Sequence, residues 1–118
     1  MSPARGFAAA SLGLLLGVTG CGPSCQSTCQ TLFGEAPDYC ALAVPGKPLD
    51  ESRKACVQEC EQALAQAGDV GDYNPFEQNM TGATVRLQNE KQAALWMDCV
   101  DQHSCQDLSE GFCAPTGF

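Results

Sequence analysis

The sequence predicts a small all-α domain stapled by disulfides, and three observations predict it. Nine cysteines occur in 118 residues, a density typical of exported scaffolds whose apolar core is too small to hold them alone. Two cysteine pairs, Cys25-x3-Cys29 and Cys56-x3-Cys60, fall in stretches where apolar residues recur at helical spacing. No stretch has the apolar-polar alternation of a strand, and the length allows one compact domain.

Each element follows from local signals. A first helix is expected from Ser24 to Phe33, closed by Gly34, with Cys25, Cys29 and Leu32 on one face. The segment EAPDYCALAVPGKP then breaks any periodicity with three prolines and Gly46. Asp50 is a credible N-cap for a second helix reaching about Ala67 and ended by Gly68, with Cys56, Cys60, Ala63, Leu64 and Ala67 at helical spacing. GDVGDYNPFEQNMTG reads as a second loop. Thr84 is expected to cap a third helix running to about His103, with Leu95, Trp96, Cys99 and Val100 as its inner face, before a looped tail, SCQDLSEGFCAPTGF.

Cysteines four apart in a helix lie one turn apart on the same face, so neither pair readily closes on itself, but two such helices side by side can be joined by two rungs. If the helices run antiparallel, the rungs are Cys25 to Cys60 and Cys29 to Cys56. The inner rung encloses the 28 residues 29–56 and is worth about 3.5 kcal/mol on the chain-entropy account. Of the three pairings open to Cys40, Cys99, Cys105 and Cys113, the expected one joins Cys40 to Cys99 and Cys105 to Cys113. The spacing resembles the twin CX3C helical hairpins of small exported and intermembrane-space proteins, a resemblance that transfers a geometry and no function.

Residues 1–20 have the layout of a signal peptide: Arg5, then an apolar run from Phe7 to Val18. Those 12 residues fall short of the roughly 20 that a permanent membrane helix needs. The run ends in VTGC, Val18 to Cys21, which resembles the lipobox of bacterial lipoproteins. That resemblance implies that Val18 and Gly20 are recognition positions for the signal peptidase and that Cys21 receives a diacylglycerol thioether. It also implies cleavage before Cys21, leaving 21–118 as the mature domain, and acylation of the new amino group by a fatty acid such as palmitate. Two or three chains anchor far better than one. With Cys21 lipidated, the remaining eight cysteines form an even set. In the same family an aspartate after the cysteine favours inner-membrane retention, so Gly22 implies transfer to the outer membrane.

The mature chain loses Arg5 and carries five basic against fourteen acidic side chains, net −9. A field of that sign disfavours nucleic acid as a partner. Catalysis has little support: His103 is the single histidine, and DQHSC places Asp101, Ser104 and Cys105 near it in sequence alone. His103 reads as a polar residue at a helix end, Glu59 and Glu61 as solvated charges, and Trp96 as core. Asp69, Asp72, Asn74 and Glu77 are a weak calcium cluster lacking the loop pattern of known sites. No catalytic residue, cofactor or metal is assigned.

The lipobox, the twin Cys-x3-Cys pairs and the closing WMDCVDQHSCQDLSEGFC together resemble the small cysteine-rich lipoproteins of gliding and predatory soil bacteria such as myxobacteria. The expectation is a non-catalytic outer-membrane lipoprotein on the periplasmic or surface face, serving as an accessory or binding scaffold for another envelope protein in a motility, secretion or adhesion assembly. Facing i, i+4 thiolates also suit zinc or cuprous ions, so a thiol-dependent metal or redox protein is the alternative. An exported effector or toxin is a further one.

Overall fold

A computed structural model describes residues 22–118; Val18, Gly20 and Cys21 lie outside the described residues. The described chain is helical: α1 (Cys25–Phe33), α2 (Leu49–Leu64), α3 (Glu90–Gln102) and the short α4 (Cys105–Ser109). Helices α1 and α2 form the hairpin, and α3 packs against both.

The first helix begins with a reciprocal cap. The Ser27 amide donates to the Ser24 hydroxyl and the Ser24 amide to the Ser27 hydroxyl, which satisfies two amides otherwise left over at a helix start. It ends at Gly34, whose amide donates to the Gln30 carbonyl. A Cβ on Gly34 would sit 2.5 Å from the Tyr39 ring, so the chain needs glycine here for close approach. The following segment hangs on the end of α1, the Cys40 and Leu42 amides donating to the carbonyls of Thr31 and Leu32.

Two helix starts differ from expectation. The second helix is capped by Pro48 and not Asp50. Proline has no amide to leave unpaired, and its carbonyl accepts from Ser52. Asp50 and Glu51 thereby fall in the first turn, where the helix dipole favours negative charge. That helix also ends at Leu64, short of Ala67 and Gly68. The third helix starts after Asn89 and not at Thr84: the Asn89 carboxamide oxygen accepts from the Lys91 and Gln92 amides, while its nitrogen donates to the Asp69 carbonyl. Residues 84–88 are drawn away from helix because the Leu87 amide donates to Glu59 and the Gln88 amide to the Gln92 side chain.

Trp96 is the centre of the core. It is fully buried, as are Phe33, Leu32, Leu108 and five of the disulfide cysteines in the same core. Its indole N–H is shared between the carbonyls of Cys113 and Pro115, each at 3.1 Å, which bends the tail back under α3. The tail then places Phe118 edge-on to both Trp96 and Phe33, 5.9 Å from each. Leu95, expected on this inner face, is only partly buried, and Met97 is buried in its stead.

Four disulfides close the framework. Cys25 joins Cys60 and Cys29 joins Cys56, with Cα separations of 5.7 and 5.8 Å, so the hairpin is antiparallel. The other half pairs differently from expectation: Cys40 joins Cys105, and Cys99 joins Cys113. The cause is the returning tail. Cys99 lies on the buried face of α3, one turn beyond Trp96, and the indole bond to the Cys113 carbonyl delivers that residue to it. Cys105, beyond the end of α3, is left facing the loop that carries Cys40.

Replacing Cys29 and Cys56 together should lower unfolding free energy in denaturant by about 2 to 5 kcal/mol. Either single replacement should behave worse than the double, because the freed thiol mispairs or dimerises. A double variant less stable than both singles would contradict the rung.

Candidate functional site

The chemistry-bearing side chains gather in two places. The first is the underside of α3, where the imidazole of His103 lies against the Cys99–Cys113 disulfide. His103 caps α3, its amide donating to the Val100 carbonyl. Its Nδ1 is 2.8 Å from the Cys99 carbonyl oxygen and 3.6 and 3.5 Å from the sulfurs of Cys99 and Cys113. A carbonyl only accepts, so Nδ1 carries the proton. The ring is stacked on Phe112 and tilted against Phe76, with centroids at 5.4 and 5.8 Å. His103 is therefore more than a polar helix end: it lies between two aromatic rings and a disulfide.

The cluster Cys99, His103 and Cys113 is the one group of metal-ligating side chains that converges among the described residues. Its chemistry does not suit a metal in this state. Both sulfurs are consumed in an S–S bond, and the imidazole nitrogen facing them holds a proton for a carbonyl. The same holds for Cys25, Cys29, Cys56 and Cys60, all in disulfides. Asp69, Asp72 and Glu77 do not converge with one another, and the Asn74 carboxamide is turned to the Phe76 amide. Asp101 and Ser104 form no hydrogen-bonded relay with His103; Ser104 caps α4 by accepting from the Asp107 amide.

The second place is the groove where α2, residues 84–86 and the C-terminal residues meet, lined by Lys47, Glu59, Arg86 and Phe118 among others. Glu59 is not a solvated charge. Only 16% of its side chain is exposed; one oxygen accepts from the Leu87 amide and the other lies 3.6 Å from the Arg86 guanidinium. Arg86 is 74% exposed, so the ion pair contributes little and the bond to the backbone amide is the stronger part. Glu61 is exposed. Position 59 adjoins Cys60 and stands three residues after Cys56, on the flank of the buried face, which is the signal in the sequence that its carboxylate is not fully solvated.

Tyr73 is tied to the same region. Its phenol donates to the Ala114 carbonyl at 2.5 Å, joining the second loop to the tail. Burial, and then the negative charge of Glu59, push the phenol well above its usual range. The chain matches no protein-family model, no curated protein and no solved structure.

Because the folded state holds Tyr73 neutral while the unfolded chain ionises from about pH 10, this contribution is complete below pH 10 and lost as pH rises beyond it. The Tyr73→Phe variant should lose about 1 kcal/mol at neutral pH and show a shallower fall in Tm above pH 10 than wild type. Parallel alkaline falls would contradict the assignment.

Proposed function

We infer that this protein is a lipoprotein anchored to the outer membrane through a diacylglycerol thioether on Cys21, and that its helical domain is a non-catalytic scaffold for another envelope protein. The observation that carries the reading is the VTGC box directly ahead of a domain whose eight described cysteines pair among themselves. The framework closes without Cys21, which fits a cysteine kept for a lipid.

The non-catalytic part rests on how the reactive groups are committed. The cysteines are in disulfides, the His103 Nδ1 proton is directed at a carbonyl, and Glu59 holds a backbone amide. The groove beside Glu59 is open to solvent and mixes both charges, unlike the enclosed, largely apolar sites of small ligands. A protein surface of net −9 on a lipid anchor would be carried to a membrane by its acyl chains and not by headgroup attraction.

Three residues, Gly22 to Ser24, separate Cys21 from α1. At about 3.4 Å per residue they span roughly 10 Å, so the domain would lie close against the bilayer, within reach of partners at the membrane surface.

Cys21→Ala should abolish incorporation of labelled palmitate and move the protein from the detergent to the aqueous phase; labelling and partitioning equal to wild type would refute the anchor. Gly22→Asp should shift the protein toward inner-membrane fractions. Crosslinking in intact cells should then capture one recurrent envelope protein with the wild type and lose it with Cys21→Ala.

A further inference from the structure

The four disulfides differ sharply in exposure. The three bridges Cys25–Cys60, Cys29–Cys56 and Cys99–Cys113 are buried at both ends, no cysteine in them exceeding 5% exposure. The fourth is different: Cys105 is exposed and Cys40 partly so. It is also the one bridge between two otherwise separate covalent units. Both rungs of the hairpin lie within residues 25–60 and the buried tail bridge within 99–113, whereas Cys40–Cys105 spans 65 residues from one unit to the other.

We propose that Cys40–Cys105 is a thiol-exchange site, opened selectively by a thiol that carries no anionic group besides the attacking sulfur. Exchange needs a thiolate to reach a disulfide sulfur, and the exposed end, Cys105, meets that requirement. The incoming thiolate forms a new S–S bond to the Cys105 sulfur, and the Cys40 sulfur leaves with the bonding pair and takes a proton from water. The second sulfur of a dithiol then displaces Cys105 from the mixed disulfide. The dithiol is oxidised to its disulfide, and both cysteines end as thiols.

Charge selects the reagent. No lysine or arginine occurs in residues 22–46 or 92–118, whereas Glu35, Asp38, Asp101, Asp107 and Glu110 flank the two cysteines in sequence. An anionic thiol approaches against that field and a cationic one with it. Opening also has a structural consequence. Beside Cys40 the backbone of Ala41 is left-handed, φ 47°, a conformation a non-glycine residue holds at a cost. Once the bridge is cut, the hydrogen bonds of the Cys40 and Leu42 amides to the α1 carbonyls and the packing of Leu42 and Val44 on the core remain to keep it.

The test is timed alkylation of the full, folded chain during reduction with limiting dithiothreitol, followed by peptide mapping. Cys40 and Cys105 should be labelled at least about tenfold faster than any other bridged cysteine, as access dictates. At equal thiolate concentration cysteamine should act faster than mercaptoethanol, and mercaptoethanol faster than mercaptopropionate. Hydrogen exchange at the Cys40 and Leu42 amides should rise in the selectively reduced protein. The Cys40→Ser, Cys105→Ser double variant should keep its helical circular dichroism and lose the fast phase. A buried bridge opening first, or all four opening at one rate, would overturn the proposal, as would a flat or reversed order among the three thiols. Labelling at Cys21 is scored separately and bears only on the lipid anchor.

Discussion

Two sulfur bridges one helical turn apart hold α1 against α2, and the remainder of the fold is built on that bracket. A single bridge leaves two helices free to rotate about it, whereas two fix both direction and register. Once α1 and α2 are locked antiparallel, Leu32 and Phe33 at the end of one helix and Ala63 near the end of the other present a fixed apolar surface. The third helix has somewhere definite to place Trp96. With one tryptophan and few large aliphatic residues, hydrophobic burial alone would define this arrangement weakly.

The tail illustrates how a polar handle organises an apolar core. The indole proton must find an acceptor once Trp96 is buried, and it finds two carbonyls of the returning chain. That requirement aligns Cys113 with Cys99, seats His103 over the resulting bridge, and leaves Phe118 against two aromatic rings. The phenol of Tyr73 does the same service from the second loop, drawing Ala114 inward.

Much of this was legible in the sequence, and what was not has a common cause. Ser24 and Gly34 bound α1 because both signals act through local backbone chemistry. The two i, i+4 cysteine pairs define their rungs through helix periodicity. Thr84 failed as a helix start because Asn89 competes as a cap and Glu59, 28 residues away from Leu87, captures the amide of that residue; nothing near Thr84 encodes this. The pairing of Cys40, Cys99, Cys105 and Cys113 depended on where the tail turns back, which the indole of Trp96 decides at a distance. Glu59 is a held carboxylate and not a solvated one for the same reason, and His103, at its helix end as expected, takes its aromatic and disulfide neighbours from tertiary packing.

Residues 80–84 of the loop between α2 and α3 are exposed, Met80 at 81%, the sort of place where proteases cut first. A break there separates a piece carrying Cys25, Cys29, Cys40, Cys56 and Cys60 from a piece carrying Cys99, Cys105 and Cys113. The two pieces do not part, because Cys40–Cys105 spans the cut. A nicked molecule remains one covalent body, its two chains held by a single solvent-facing bond, and cleavage becomes separation only when that bond is also reduced. Two unrelated chemical events, hydrolysis and reduction, must coincide before this molecule comes apart.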